Sequence, residues 1–395
     1  MNSPLPTQKF ALELDVFRGI AALMMIVNHA GYRLMTATDS APTSLVGVFV
    51  YLGCFAPVLF FFSTGFGIAL SSRTKNQGAA LFPALWKGLL LVLADQLLWQ
   101  SRGISAGLDF FAFIGIATIF MTLLSRLARA IEISVVLVCL MVGTRYIVGP
   151  AFKAMLPDIA ILHWLIGVIG VEHVSYPLIP WMIYPLLGFI IGRHYPSHES
   201  TTPRTPRIWS RSGTVVALGF FAAAFVLFLF NRVFFRWGTV SLAFFILSLG
   251  VLSMAGSIAQ YVTLRFPQAA RKMALRGVSS FAVIPLHYAM LDAYTRTLPV
   301  PVAPRVYALL TGTLVIASFL LARQFGKIAG KLGDLSYLTV LVPGLALLLG
   351  LVVWQNMLPF EPRSVTAEIY ALVGPLIIAG LLAVRPKIGV TSLKT

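Results

Sequence analysis

A succession of apolar runs, most of them about 20 residues long, constrains this chain more than any other feature. They fall at about 15–35, 44–70, 80–100, 108–125, 133–149, 177–192, 213–231, 238–264, 278–295, 305–324, 335–356 and 367–385. A helix of about 20 apolar residues crosses the hydrocarbon core of a bilayer, and in lipid only helices and closed barrels satisfy their own backbone polar groups. The chain is 58% hydrophobic and only 11% charged, whereas a soluble domain carries about 25% charged residues. The expected fold is therefore all-α: a polytopic membrane helical bundle of about 10–12 transmembrane helices, forming a single integral domain over residues 1–395.

Orientation follows from the loops. One alternate set holds Arg73/Lys75, Arg126/Arg129, Arg193/Arg204/Arg207/Arg211, Arg265/Arg271/Lys272/Arg276, Arg323/Lys327/Lys331 and Arg385/Lys387/Lys394, and the other set is much poorer in basic residues. The positive-inside rule puts the richer set and both termini in the cytoplasm. Residues 1–13 lack the pattern of a cleaved signal peptide, so the first run is expected to be a retained span. The net charge of +17 is explained by these loops facing anionic lipid, with no nucleic acid needed. Residues 159–170 (IAILHWLIGVIG, with His163) are too short to span, and fit a re-entrant or interfacial segment on the outer side. The stretch 196–212, rich in Pro, Ser, Thr and Arg, reads as a cytoplasmic linker loop. Cys54 and Cys139 both lie in apolar runs, and HExxH, P-loop, GxGxxG and GxSxG motifs are absent, so neither a metal centre nor a nucleotide fold is expected.

The first run carries the most polar chemistry. Arg18 and His29 are eleven positions apart. On a helix that is a rotation of about 1100°, roughly 20° beyond three turns, and a rise of roughly 16 Å. Both side chains then face one way, Arg18 near a membrane surface and His29 about halfway across. Asp15 lies within about 60° of that stripe. Ionisable groups inside a span are costly and by default functional. Arg18 alone fits a snorkelling residue paired with Asp15 at i,i+3, and His29 alone fits a packing histidine bonded across helices. Together they look like an anion-binding entrance above a proton-transfer site, because an imidazole is the natural general base near neutral pH.

Four further places combine polar and small residues. Ser63 and Gly65, in FFFSTGFG, either let helices approach closely or pass a cofactor arm. Asp95 either caps at an interface or orients a histidine. Glu172, His173 and Trp181, in EHVSYPLIPW, form either an ordinary aromatic belt or a platform for a sugar-like acceptor. His287 stands beside Pro285 inside a late span, as packing or as a substrate contact.

The segment LDVFRGIAALMMIVNHA resembles the first membrane helix of the acyltransferase-3 family and its heparan-α-glucosaminide N-acetyltransferase-like relatives, in which an arginine precedes a histidine by eleven positions. FAPVLFFFSTGFGIAL is similar to the family's second helix, with its aromatic run and Ser-x-Gly. EHVSYPLIPWMIYPLLGFIIGR resembles the Pro-x-x-Pro-Trp and Gly-x-x-x-Gly-Arg stretch of the N-acetyltransferase-like branch. GVSSFAVIPLHY is similar to the late Ser-x-x-x-Tyr-x-x-His helix, with proline or isoleucine where tyrosine is common. The 36–43 loop (TATDSAPT) has no histidine to match the loop histidine of that branch, which throws the weight onto His29.

The resemblance implies transfer of an acyl group, usually acetyl, from cytoplasmic acyl-CoA (acetyl-CoA as co-substrate, with no permanently bound cofactor) to a hydroxyl or amine of a carbohydrate or glycolipid acceptor. A bacterial inner membrane is the usual home of such proteins. The geometry agrees: an arginine fork suits the phosphates of CoA, and roughly 16 Å of helix is comparable to an extended pantetheine arm. On this reading His29, Arg18 and Asp15 carry catalysis, with Ser63 and Gly65 along the donor arm. Glu172, His173, Trp181, His287 and Asp95 would face the acceptor. The alternative is a twelve-helix secondary transporter split near the basic 193–211 loop.

Overall fold

A computed structural model describes residues 6–74, 81–100, 107–148, 165, 174–195, 211–231, 240–332, 337–357 and 364–384. Over these the chain is helical, and its one extended contact is an isolated parallel bridge between Leu108 and Val174. The helices are α1 (Pro6–Leu34), α2 (Leu45–Leu52), α3 (Ala56–Thr74), α4 (Leu81–Gln100), α5 (Phe110–Leu124), α6 (Ala130–Gly143), α7 (Ile183–His194), α8 (Arg211–Asn231), α9 (Leu242–Arg265), α10 (Pro267–Met273), α11 (Val278–Thr297), α12 (Pro304–Leu332), α13 (Tyr337–Met357) and α14 (Val365–Ala383).

Among the described residues, seven segments are long and apolar enough to cross a membrane. The pair α10–α11, bent by 60° at its break, makes an eighth if it is one span. This is an all-α polytopic membrane bundle. About 10–12 spans were expected, and two of the apolar runs fold into shorter helices, α5 of 15 residues and α7 of 12 residues. At 1.5 Å per residue such helices fall short of the hydrocarbon core of about 30 Å. Helix α1 is long enough at 29 residues, but it is not among the seven because Glu13, Asp15, Arg18, Asn28, His29 and Arg33 dilute its apolar character. Of residues 159–170, all but Leu165 lie outside the described residues, as do residues 196–210 of the expected linker.

A helix this polar is stable in a membrane only if protein surrounds it. Accordingly α1 packs against α2, α3, α9, α10, α11 and α12. Its backbone is tied at three heights: Leu275 N–H donates to Asp15 O (3.0 Å), Tyr307 Oη–H to Val27 O (3.0 Å) and Val302 N–H to Leu34 O (2.8 Å).

The second span is broken where it meets α1. Ser44 caps α2 by accepting from Gly47 N–H (2.8 Å). The helix then tightens into a 3₁₀ turn at Gly53–Phe55 before α3 begins. A Cβ on Gly53 would stand 2.4 Å from Asn28 Cβ and 2.4 Å from Met24 O, so only glycine lets the break touch α1. That contact brings Cys54 to within 3.4 Å of Asn28 Nδ2. Beyond the break, α3 lies flat on α7. A Cβ on Gly65 would meet Pro185 O at 1.8 Å, and one on Gly188 would meet Phe62 O at 2.0 Å. Small residues that let two backbones approach are the usual cement between membrane helices, where lipid provides no hydrophobic drive.

Candidate active site

The crossing of α1 and α11 assembles the chemistry. His29 Nδ1 lies 2.9 Å from His287 Nε2, and His287 Nδ1 lies 3.0 Å from Val283 O, one turn earlier in α11. A carbonyl only accepts, so the proton on His287 sits at Nδ1 and, in the neutral ring, Nε2 is an acceptor. His29 must then donate from Nδ1, which leaves the lone pair of the neutral ring on Nε2. Tyr288 Oη lies 3.2 Å from that nitrogen and donates to it. The rings stack as well, with centroids 5.2 Å apart for His29–His287 and 4.7 Å for His29–Tyr288. His287 is fully buried. It holds the orientation and tautomer of His29 from behind, while His29 and Tyr288 face a cavity of about 370 Å³.

Each wall of the cavity comes from a different part of the chain. Helix α1 contributes Met25, Asn28 and Tyr32, and the broken second span contributes Gly53, Cys54 and Pro57. Asn28 Nδ2 is already committed to Val50 O (2.8 Å), so this side chain braces the wall. Asp95, Asp109, Ser175 and Tyr176 close the far side. Asp95 is buried on α4 and accepts from Asp109 N–H (2.9 Å, Oδ2) and Phe111 N–H (3.1 Å, Oδ1). Two of the orphan donors at the start of α5 are thus satisfied by a carboxylate from another helix. Of the two roles expected for Asp95, capping is the one the structure shows. Gln96 continues the brace, bonding Gly107 through both its amide nitrogen (2.9 Å) and its oxygen (3.2 Å). Residues 107–109 then meet residues 174–176, where Ser175 N–H donates to Leu108 O (3.0 Å).

Arg18 lies toward the other end of α1. Its Nη1 pairs with Asp15 Oδ1 at 3.1 Å. Its Nη2 is the nearest atom, at 3.3 Å, to a Cβ built on Gly67 of α3. The start of α3 borders His29 and its end borders Arg18, as two side chains on one face of α1 require. His29 is five residues from the end of α1 at Leu34. The cavity stops short of Arg18: Met25 lines it, but Arg18 and the fully buried Ala22 do not.

The other expected residues divide. Ser63 donates to Phe60 O (2.8 Å) inside its own helix, and Gly65 is occupied by the backbone of α7; neither lines the cavity. Trp181 is fully buried one layer behind it, edge-on to Tyr176 (centroids 4.9 Å) and to Phe61 (5.8 Å). Glu172, His173 and His163 lie outside the described residues. Sequence reasoning missed Tyr288, Tyr32, Cys54, Asp109 and Ser175. Tyr288 had a signal, since it directly follows His287, but nothing local showed which of the pair would face the cavity.

Residues 11–219 match the family model described as heparan-alpha-glucosaminide N-acetyltransferase, catalytic. The match takes in just over half of the chain. The chain belongs to the heparan-alpha-glucosaminide N-acetyltransferase catalytic family. No curated protein matches it. Family membership makes it a membrane acetyltransferase. Within the family match lie Asp15, Arg18, His29 and Asp95; His287 and Tyr288 lie beyond it. The family-matched segment therefore supplies His29, and the later part of this chain supplies His287 and Tyr288, which hydrogen-bond it.

Proposed function

We infer that this acetyltransferase moves an acetyl group from acetyl-CoA at the cytoplasmic face to a hydroxyl or amine of a carbohydrate or cell-envelope glycan, with His29 as general base. The observation that carries this reading is the arrangement of His29: Nδ1 is tied to His287, and Nε2, hydrogen-bonded to Tyr288 Oη, borders a cavity. A base oriented by one partner, whose other nitrogen can exchange its hydrogen bond for a reacting atom, follows the triad logic of acyl transfer.

The chemistry needs little else, because a thioester is already activated. The acceptor oxygen or nitrogen attacks the thioester carbonyl carbon while His29 Nε2 takes its proton. The tetrahedral intermediate collapses, the C–S bond breaks, and the imidazolium returns the proton to the departing sulfur. Positioning supplies much of the rate, since holding two reactants in one cavity replaces a bimolecular encounter. Arg18, kept in place by Asp15, receives the CoA phosphates as a planar two-pronged donor. The pantetheine arm runs along the α1–α3 seam toward His29, displacing the packing around Ala22. The acceptor enters from the opposite end, beneath the 107–109 and 174–176 segments, with Glu172 and His173, which adjoin the latter in sequence, receiving it and Trp181 supporting them from behind Tyr176. Both termini and the Arg18 end of α1 are cytoplasmic, and the membrane is a bacterial inner membrane.

The test uses the full chain purified in detergent. Equilibrium dialysis is expected to show acetyl-CoA binding. CoA thiol release in the presence of glucosaminide or envelope glycan acceptors is expected to depend on His29. Absence of acetyl-CoA binding overturns the donor reading and favours a solute transporter, whereas transfer that survives His29→Ala undiminished overturns the role of His29 as base.

A further inference from the structure

The hydrogen bond from Tyr288 to the base poses a problem that any mechanism at this site must solve. A neutral imidazole has one lone pair. Tyr288 Oη–H occupies that of His29 Nε2 at 3.2 Å. The acceptor's own hydroxyl or amine must take over the same position before His29 can remove its proton. The Tyr288 hydroxyl therefore stands where the nucleophile will be, and it has to be displaced without leaving, because its ring is fixed. That ring stacks on His29 (4.7 Å), leans against His287 (4.4 Å) and lies under the Arg33 guanidinium, 6.0 Å from the centroid. Arg33 is itself ion-paired with Asp292, one turn beyond Tyr288 on α11. Rotation of the C–O–H bond and a small tilt remain, and these swing the O–H away from nitrogen toward the cavity.

What it then meets follows from the reaction. In the tetrahedral intermediate the attacking atom and the former carbonyl oxygen are bonded to one carbon, so a donor pushed from the first lies beside the second. Resting on the reading of this site as an acetyl-CoA site, we propose that Tyr288 is a catalytic residue. In the resting state its hydroxyl holds the acceptor's position on His29, and during transfer it donates to the negatively charged oxygen of the tetrahedral intermediate. No proton leaves Tyr288 in either state: it exchanges one hydrogen-bond acceptor, a nitrogen lone pair, for another, an oxyanion. Donors aimed at charge that develops only in the transition state are the most effective kind. Asn28, the nearest amide to His29 in sequence, is already bonded to Val50 O and cannot serve without breaking the wall.

Trifluoroacetonyl-CoA tests this without an identified acceptor, because its activated ketone is attacked by water in the acceptor's place while His29 takes the water proton, leaving the former ketone oxygen as the oxyanion of a tetrahedral adduct. Its affinity and that of acetyl-CoA are measured for the wild-type chain and for Tyr288→Phe, which keeps the ring. The expected result is unchanged affinity for acetyl-CoA and a loss of about 10- to 100-fold for the ketone, the worth of one hydrogen bond to a charged oxygen. Equal losses for both ligands, or none for either, overturn the role of Tyr288. If the wild type binds neither ligand, the acetyl-CoA reading falls first, a different outcome from a normal wild type with an indifferent Tyr288→Phe variant. Tyr288→Trp, which keeps an aromatic surface but moves its donor, should also lose the ketone preference; retention of it overturns the proposal.

Discussion

His29 Nδ1 and His287 Nε2 stand 2.9 Å apart although 258 residues separate them in the chain. The pair explains how a histidine on a membrane helix can serve as a base of defined direction. A lone imidazole in a cavity can present either nitrogen, and bonding one of them to a buried, already committed partner leaves only the other. In many acyl-transfer sites a carboxylate does this with a negative charge. Here a neutral ring does it, which fits a site enclosed among helices where an extra buried charge would be expensive.

Replacing His29 with alanine is expected to lower acetyl transfer by about 10²- to 10⁴-fold, the usual span for losing a general base. Acetyl-CoA affinity should change little, since His29 is not the residue that meets the phosphates. Stopped-flow or endpoint measurement of CoA thiol checks the first, and equilibrium dialysis checks the second.

His287→Ala should act through His29. With its anchor gone, the base samples both tautomers and loses its fixed direction, so kcat falls while KM for acetyl-CoA holds. The decisive measurement is the double variant His29→Ala/His287→Ala. Groups that act as one unit are strongly non-additive, so the double variant should be no slower than His29→Ala alone. A double variant slowed by the product of the two single effects would show that His287 works independently.

Arg18→Gln is expected to raise KM for acetyl-CoA while leaving kcat at saturation near the wild-type value, because the phosphates are bound equally in ground and transition states. Acetyl-pantetheine, which lacks the nucleotide, should be turned over alike by both proteins. Arg18→Lys should recover only part of the affinity, since an ammonium is a point charge and cannot grip a phosphate with two parallel bonds.

Gly65→Ala separates packing from passage. Its Cβ would meet Pro185 O at 1.8 Å, so α3 and α7 must part. Overpacking of this kind typically costs about 1–3 kcal/mol, visible as a lower midpoint for thermal unfolding in detergent, with acetyl-CoA affinity per folded molecule unchanged. A stable Gly65→Ala protein with weakened binding would instead return this residue to the donor arm.

Asp95→Ala removes both acceptors from the start of α5 and should cost about 1–2 kcal/mol as the loss of a helix cap. Because Asp109 and Phe111 belong to the cavity wall, the acceptor KM should rise as well. Asp95→Asn, which keeps one acceptor oxygen, is expected to lie between the two.

How much of this could be read in the sequence varies with the range of the interaction. The apolar runs and the stripe through Arg18 and His29 are local and periodic, and those gave the helical membrane fold and the most polar helix. Hydropathy said less about α5 and α7, whose apolar composition does not reveal how short their helices are. The partner of His29 was beyond reach: a histidine beside a proline in a late span looks the same whether it packs or anchors, and which residue it anchors is settled by the crossing of two helices far apart in the chain. Asp95 is a similar case, since the helix it caps is not its own. Ser63 and Gly65 were ambiguous for a simpler reason, because a glycine admits a backbone and a ligand arm equally well.

The neighbours of α1 also bear on how the protein is made. Four of the helices that enclose it, α9, α10, α11 and α12, are encoded in the later part of the chain. A growing polypeptide that has reached only α8 leaves the most hydrophilic stretch near its beginning facing lipid or the translocation machinery without those companions. Helix α1 thus completes its packing only after α9–α12 have been made, and His29 meets His287 only then.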